Sequence, residues 1–218
     1  MMLALAMQSS RMGVWWRDIA TEIVFWSEEL EEIFGLEKGD FSKTENGFYD
    51  LVHEDDRQRI WAEVENAIAE HRDYVIEFRF HHADGSIRWM EGRGQAVYSE
   101  KGEPVRLYGI GMDVTHRKQA EEALRESKER FSKAFNSSPL VFTITSLKTG
   151  KLIEVNETFV RISGYTREEA VGRTSAELGL WADTEERERE LRAVLNQGQI
   201  TNLECRFRLR DGAEFIGL

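Results

Sequence analysis

Hydrophobic and polar residues alternate in two stretches of the chain that are spelled almost alike. "EFRFHHADG" begins at Glu77 and "ECRFRLRDG" begins at Glu204, an offset of 204 − 77 = 127 residues. Alternation with a period of two predicts a β-strand, and the Asp-Gly pair that follows predicts a hairpin turn. Each stretch is therefore expected to form a strand that leads into a β-hairpin.

A second pair of similar segments lies upstream of the hairpins. "FWSEELEEIFGLEKGD" and "EVNETFVRISGYTREEA" align Gly35 with Gly164, an offset of 164 − 35 = 129 residues. In each segment a capping residue, Ser27 or Asn156, precedes apolar residues at helical spacing, and the glycine stands where a helix would end. The two pairs together predict two copies of one domain, with one shorter loop explaining the different offsets.

Each copy is expected to continue through short helices into a longer helix before the hairpin. We predict this helix at about Asp56–Ala69 in the first copy and Thr184–Asn196 in the second. The first copy then continues as two β-rich runs joined by "SEKGEP", whereas the second stops at Leu218 inside the corresponding strand. The chain is therefore expected to be a fragment whose second domain is incomplete.

The predicted domains are 1–113, a helical linker at 114–135, and 136–218. The apolar start "MMLALAM" is too short to span a bilayer and is expected to be the last turns of a helix. In the linker no Gly or Pro interrupts the helix that Thr115 can cap.

Apolar and small residues of the linker recur in alternating steps of three and four, the spacing of a two-stranded coiled-coil seam. The seam positions are Arg117, Ala120, Leu124, Ser127, Phe131 and Ala134. This spacing predicts a homodimer formed through the linker. The alternative is a helix that packs its stripe on its own domain.

Several motifs together resemble a known family. "YTREEAVGR", "ECRFRLRDG" and "EFRFHHADGSIRW…GEPVRLYGIGMDVTHRKQAEEAL" resemble tandem PAS domains, the first with its C-terminal PAC portion, and "LVHEDDR" is similar to that family's H-x-D-D turn. The resemblance implies an α+β fold in which each PAS domain has a five-stranded antiparallel sheet with helices on one face, enclosing a pocket. A long linker helix joins the two domains.

The resemblance also implies a sensory role. The module would detect a small ligand, redox state or partner and pass that state to an output domain, most often a histidine kinase of a two-component system. The alternatives are a ligand-free dimerisation or interaction scaffold, and the sensor part of a cyclic-dinucleotide cyclase or phosphodiesterase. No catalytic constellation is recognisable, so the chain itself is not expected to be an enzyme.

Two groups of residues are candidates for function. Asp113 and Thr115 match the D-x-T junction of the family and, with Ala120, Leu124 and Phe131 of the seam, are expected to transmit the signal. The expected pocket-facing residues, taken from the apolar face of each predicted element, are Phe25, Leu30, Ile33, Leu51, Val64, Phe78 and Tyr108.

The composition restricts the classes of partner and the compartment that we expect for the chain. The net charge of −11 argues against nucleic acid and anionic membranes, which require a local excess of Lys and Arg. The single cysteine rules out an internal disulfide and fits a reducing compartment, so the chain is expected to be cytoplasmic.

No cofactor or metal is predicted. Haem, through His71 after the long helix, and flavin, in the tryptophan-rich first copy, are the alternatives. His81 and His82 point to opposite faces of a strand and cannot chelate one metal together. The segment "ECRF" around Cys205 resembles the cysteine box of light-oxygen-voltage photoreceptors. The repeat, however, aligns Cys205 with Phe78, so we expect a buried or half-buried strand residue and no flavin adduct.

Overall fold

The computed structural model describes residues 12–183, 185, 187–189, 192, 194, 198–199 and 204–217. The chain divides into two compact units, Met1–Ala123 and Leu124–Leu218, which are described separately. The helix predicted for "MMLALAM" lies outside the described residues, and the helix predicted at Thr184–Asn196 falls largely outside them. None of the helices within the described part of the chain is long and apolar enough to cross a membrane.

The first unit is built on a five-stranded sheet in the order β2-β1-β5-β4-β3, with every neighbouring pair antiparallel. The predicted five-stranded antiparallel sheet is therefore confirmed for this unit. Its strands are β1 (Met12–Asp18), β2 (Val24–Trp26), β3 (Tyr74–His81), β4 (Ile87–Tyr98) and β5 (Pro104–Asp113).

Three helices connect β2 to β3 and cover one face of this sheet. They are α1 (Glu28–Phe34), α2 (Glu45–Leu51) and α3 (Glu54–Ala69). As expected, α1 ends at Gly35, whose φ of 76° is a conformation that residues with a Cβ rarely adopt. Helix α3 begins two residues before the predicted start, where His53 Nδ1 accepts the backbone N–H of Asp55 at 3.3 Å. The main hydrophobic core lies between these helices and the sheet.

Helix α4 (Thr115–Ser137) follows β5, begins in the first unit and ends in the second. It starts at Thr115, whose backbone N–H donates to the Asp113 carboxylate at 2.8 Å. The Thr115 hydroxyl, predicted to cap this helix, instead accepts the backbone N–H of Trp89 on β4. The helix continues without interruption through the residues that the sequence marks as a linker.

After the end of α4, the described part of the second unit includes two antiparallel strand pairs and two short helices. The elements are β6 (Thr143–Thr145), β7 (Leu152–Val155), α5 (Glu157–Ser163), α6 (Arg167–Ala170), β8 (Cys205–Arg208) and β9 (Glu214–Gly217). Cys205 is buried on β8, as the repeat predicts.

Matching contacts support the internal repeat. The N–H of Ala83 donates to the carbonyl of Phe34 at 3.0 Å, and the N–H of Arg210 donates to that of Ser163 at 2.9 Å. Gly164 ends α5 with a φ of 79°, as Gly35 ends α1. In both units a hairpin is therefore tied to the end of the short first helix.

The arginine of the repeated E-x-R-F motif has the same type of partner in both units. Arg79 donates to both carboxylate oxygens of Asp56, at 3.0 and 2.9 Å, and Arg206 lies 3.7 Å from Asp183. The motif thus joins the first hairpin strand to an acidic residue that precedes it in the chain.

Candidate functional site

A cavity of about 100 Å³ lies in the first unit between the sheet and helices α1–α3. Alternation along β3 points Tyr74, Ile76 and Phe78 to this side, and alternation along β1 does the same for Trp15 and Arg17. Most of the wall is aromatic or aliphatic. Such a site favours the apolar part of a ligand and leaves orientation to a few polar groups.

Three of the residues predicted to face the pocket line this cavity, namely Leu30 on α1, Val64 on α3 and Phe78 on β3. Ile33 is buried in the core of the first unit, and Leu51 is half-buried against that core, but neither lines the cavity. The helical spacing of apolar residues therefore identifies the side of each helix that faces the core. It does not distinguish residues that line the cavity from residues that are packed elsewhere in the core.

Phe25 and Tyr108 correct the prediction, because both lie on the opposite, exposed face of the sheet. Phe25 is 43% exposed and stacks on Trp16, and Tyr108 is 40% exposed. On β5 the face toward the cavity carries Leu107 and glycines, including Gly111. The prediction chose Tyr108 because its side chain is large, and Tyr108 lies on the other face. On the three-residue β2, Val24 and Trp26 point inward on either side of Phe25.

The prediction missed the polar end of the cavity. Arg17, at the end of β1, forms an ion pair with Glu45, the first residue of α2. Tyr49, one turn further along α2, and Tyr74 also line the cavity. The signal was present in "WWRD", because strand alternation places Arg17 on the same face as Trp15.

Burial changes the acidity of these groups. It raises the pKa of Glu45 above its ordinary value, with the Arg17 guanidinium opposing that rise. Burial also raises the pKa of Tyr49 to about 12 and raises the pKa of Tyr74. Both phenols therefore keep their protons near neutral pH and can donate hydrogen bonds.

Haem does not fit this arrangement. The cavity is smaller than an engineered cavity of roughly 150 Å³ that holds a single benzene. His71 lies after α3 with a φ of 53°, and its ring stacks on Tyr98 at 4.1 Å. No histidine is among the described residues that line the cavity. The fused rings of a flavin exceed the cavity for the same reason of size.

The histidines of the H-x-D-D turn and of the first hairpin strand contact each other and a neighbouring carboxylate. His53 and His81 stack with ring centroids 5.5 Å apart, and His81 Nε2 lies 3.4 Å from a carboxylate oxygen of Glu54. Within the described ranges, no three His, Cys, Asp or Glu side chains are grouped as a metal ion would require.

The first turn of α4 is bound to the two strands that form part of the cavity wall. Arg117 donates to Glu77 of β3 at 2.7 Å and to Glu91 of β4 at 3.1 Å, and Lys118 pairs with Glu77. Lys118 and then Arg117 hold the pKa of Glu77 below its ordinary value. We call the four residues Glu77, Glu91, Arg117 and Lys118 the linker clamp.

The D-x-T junction adds backbone contacts beside the linker clamp. The Thr115 hydroxyl accepts the backbone N–H of Trp89 at 2.9 Å, and the N–H of Val114 donates to the Trp89 carbonyl at 2.9 Å. Lys118 also lies 5.3 Å from the centre of the Trp89 ring. Strand β4 and the start of α4 are therefore joined by side-chain and main-chain contacts.

The end of α4 is held in the second unit by Asn156, which is fully buried. Its amide nitrogen donates to the carbonyls of Phe135 and Leu140 at 3.0 and 2.8 Å. Its carbonyl oxygen accepts the N–H groups of Phe142 and Phe159 at 3.0 and 2.9 Å. Sequence reasoning identified Asn156 only as a helix cap.

The predicted seam positions of α4 have different surroundings. Leu124 is 57% exposed, Phe131 is 48% exposed, and Ala120 is exposed. Arg117 instead binds the first unit through the linker clamp. The expected seam therefore begins after Arg117.

Two family models match the chain. One described as "PAS fold" matches residues 23–111, and one described as "PAS domain" matches residues 139–218. The first match contains most of the cavity wall, and the second begins just after α4.

The chain is also similar to individual proteins. A solved sensory box histidine kinase/response regulator from Burkholderia thailandensis is 32% identical, with a TM-score of 0.54, over 61% of this chain and 99% of that chain. The probable diguanylate cyclase DgcE of Escherichia coli is 28% identical over 78% of this chain and 15% of the relative. A blue-light-activated histidine kinase of Brucella anthropi is 33% identical over 63% of this chain and 27% of the relative. The chain thus spans less than a third of either curated relative.

Proposed function

The chain belongs to the PAS family, with two of its domains in tandem, and we propose that it is the cytoplasmic sensory part of a signalling protein. It detects a change at the cavity of the first domain. It transmits that change through helix α4 to an output domain.

The linker clamp is the observation that carries this proposal. On β3, Ile76 and Phe78 face the cavity while Glu77 between them holds Arg117 and Lys118. On β4, Met90 and Gly92 face the cavity while Glu91 between them holds Arg117. A displacement of either strand by a ligand therefore moves a carboxylate that grips the helix.

The output that we propose is a histidine kinase of a two-component system. Two of the similar proteins above carry the words histidine kinase in their names, and both family matches are to PAS domains. The similarity to a diguanylate cyclase supports cyclic-dinucleotide synthesis as the second candidate output. In either case the chemistry belongs to a domain other than these two.

Transmission is tested by the substitution Ile76→Val, which removes one methyl group from the cavity wall beside Glu77. Such a deletion typically costs about 0.5–1.5 kcal/mol and lets neighbouring atoms shift. We expect amide hydrogen exchange at 115–121, the first turns of α4, to change about threefold or more. In a Glu77→Gln background, Ile76→Val should change exchange there no further, because Glu77 is the β3 carboxylate that holds both Arg117 and Lys118.

Ile33→Val is the matched control. Ile33 is buried in the same core but does not line the cavity or lie on β3 or β4. Its substitution should leave exchange at 115–121 unchanged after correction for global stability. Equal effects of Ile33→Val and Ile76→Val, or an effect of Ile76→Val that persists without the Glu77 carboxylate, would contradict the proposed route and favour a scaffold with a filled core.

A homodimer through α4 completes the proposal. The exposed Ala120, Leu124 and Phe131 lie on one stripe of the helix, with the spacing that fits a second copy of the same helix. Two paired helices give the signal a shared element whose packing can change. The experiment that tests the dimer is given in the Discussion.

A further inference from the structure

The outer face of the first domain's sheet carries a row of aromatic side chains. Trp16 lies opposite Phe25 on β2 and opposite Tyr108 on β5, so the three side chains share one face. Phe25 and Tyr108 are exposed, and the half-buried Trp16 stacks on Phe25 with ring centroids 5.6 Å apart. We call these three residues the aromatic row. Neighbouring apolar groups exposed in this way mark a surface that another segment or molecule covers.

The internal repeat points to a segment of this chain, because the repeat extends upstream of the first strand. "AMQSS" at 6–10 and "AFNSS" at 134–138 share three of their five residues, at an offset of 134 − 6 = 128. At this offset the apolar segment 1–7 corresponds to 129–135, which lies in the last turns of α4. The first domain is therefore preceded by a counterpart of the helix end that precedes the second domain.

Hydrogen bonds support the same offset at the first strand of each domain. The N–H of Val14 donates to the Ser27 hydroxyl at 3.1 Å, and the N–H of Ser27 donates to the Val14 carbonyl at 2.9 Å. Phe142 and Asn156 exchange the corresponding two bonds, both at 3.0 Å. Val14 and Phe142 thus occupy equivalent positions, again 142 − 14 = 128 residues apart.

In the second domain, the end of α4 packs on the outer side of this first strand. Phe135 is only 6% exposed, and its ring lies 6.1 Å from that of Phe142 and 5.3 Å from that of Phe131. Thr143, the residue after Phe142, lies opposite the buried Val155. Strand alternation therefore points Phe142 away from the core, so the contact with Phe135 lies on the outer face.

The first domain has apolar residues at the positions of both helix rings. Met7 corresponds to Phe135 and Leu3 corresponds to Phe131, and residues four apart lie on one side of a helix. We propose that the outer face of the first sheet binds residues 1–7 of this chain, through Leu3 and Met7, as the corresponding face of the second domain binds the end of α4.

The position of the segment in the chain favours its own sheet over a second copy. Only four residues, 8–11, separate Met7 from Met12, the first residue of β1. A tether this short gives the segment a high effective concentration at the aromatic row. Arg106 lies 5.0 Å from the centre of the Trp16 ring and closes the row at the end away from Met12. The open, apolar side of the row is therefore the side from which the segment arrives.

Strand β1 gives this docking a place in the proposed signalling. Trp15 and Arg17 line the cavity, whereas Trp16 between them belongs to the aromatic row. A displacement of β1 at the cavity therefore moves a side chain that the segment covers, as a displacement of β3 moves Glu77 against α4. This signalling role rests on the proposed function, but the docking itself does not.

The test follows the indole N–H signal of Trp16 by NMR in the whole 218-residue chain, with the signal assigned through Trp16→Phe. Met7→Asp places a charge in the proposed apolar contact, which disfavours docking. We expect the Trp16 signal to shift and its exchange with water to become about threefold faster or more, because the covering segment is released. The signal of Trp61, which is exposed on α3, is the internal reference and should not move.

Ala6→Asp is the matched control, because its counterpart Ala134 is exposed whereas Phe135 is buried. It adds the same charge one residue away and should leave the Trp16 signal unchanged, whereas Leu3→Asp should act as Met7→Asp does. Equal shifts from Ala6→Asp and Met7→Asp, or no shift from Met7→Asp, would overturn the inference.

A second copy of the chain is the competing occupant of the aromatic row. A Trp16 signal that depends on protein concentration but not on Met7→Asp would assign the row to that copy and overturn the inference. The response of 115–121 to Ile76→Val is measured on the other side of the sheet's attachment to α4 and needs no docked segment. Failure of the docking therefore remains distinguishable from failure of the proposed function.

Discussion

Arg79 joins β3 to the start of α3 through a nearly buried carboxylate. Its guanidinium and its backbone N–H both donate to Asp56, at 2.8–3.0 Å. Hydrogen bonds from the Arg79 side chain, followed by its backbone N–H, lower the pKa of Asp56 from 3.8 to about 2. A carboxylate with a depressed folded-state pKa stabilises the protein above its unfolded pKa, and this contribution is lost as the pH falls through the folded value.

We therefore predict that Asp56→Asn lowers the unfolding free energy of the first domain by about 2 kcal/mol at neutral pH, since each pKa unit corresponds to about 1.4 kcal/mol. The difference from the unsubstituted protein should shrink as the pH falls from 3.8 to about 2, where Asp56 itself becomes protonated. Urea unfolding across this pH range measures it.

Asp55→Asn is the control for this prediction. The Asp55 side chain is largely exposed and lies 3.5 Å from Arg79, so its loss should cost no more than about 0.5 kcal/mol. A constant difference between Asp56→Asn and the unsubstituted protein at every pH would show that titration of Asp56 does not contribute.

At the scale of the element, helix α4 has a different attachment at each end. Its first turn is held by ion pairs on the surface of the first domain and by the hydrogen bond between Thr115 and Trp89, whereas its last turns are held by buried hydrogen bonds to Asn156. Salt and solvent weaken exposed ion pairs but have little effect on a buried amide network. The ion pairs at the start of α4 are thus the attachment that salt weakens first, which is consistent with the proposed transmission through this helix.

We predict that Asn156→Ala destabilises the second domain by about 3 kcal/mol or more. The substitution leaves two N–H groups and two carbonyls without their partner, and each buried orphan costs roughly 1–3 kcal/mol. Hydrogen exchange by mass spectrometry should show faster exchange at 139–183 and unchanged exchange at 12–113.

Asn136→Ala is the matched control on the same stretch of chain. Asn136 forms hydrogen bonds with the side chains of Ser132 and Arg167, and neither bond satisfies a backbone N–H or carbonyl group. Its loss should cost less than about 1 kcal/mol. Comparable destabilisation by the two substitutions would show that Asn156 is an ordinary cap and not the point at which α4 is attached.

The elements also show which features sequence patterns can predict. Gly35 ends α1 and the Asp-Gly pair forms the turn of the β3–β4 hairpin, and local backbone preferences are enough for both. The predicted capping residue Ser27 makes no side-chain cap, because its hydroxyl accepts the N–H of Val14 on β1 at 3.1 Å. The face of β5 that points to the core could not be predicted from the sequence in this way. Its glycines have no side chain to mark it as apolar, whereas Tyr108 on the other face has a large one. Arg17 and Glu45 are 28 residues apart, so their pairing depends on tertiary packing.

At the scale of the whole molecule, the internal repeat was predictable because the same motifs occur in the same order in both halves of the sequence. Both domains contain the contact between the hairpin and the short first helix that the repeat implies. The linker clamp was not predictable from the repeat. It joins Glu77 of the repeated motif to Arg117, a residue that the heptad pattern assigned to a dimer seam. Arg117 of the linker thus binds the first domain, while the proposed seam positions that follow it remain exposed.

Dimerisation is the last prediction, and it rests on those exposed positions. Leu124→Glu places a charge in the proposed seam, where pairing would bury it, so sedimentation analysis should show the dimer dissociating to monomer at micromolar concentration. Gln119→Glu adds the same charge outside the seam and should leave the dimer intact. An unsubstituted chain that sediments as a monomer would contradict the proposal, and so would equal dissociation by the two variants. If the dimer forms, Phe131→Glu should dissociate it as Leu124→Glu does, because seven residues separate the two positions and a heptad seam brings both to the same line of contact.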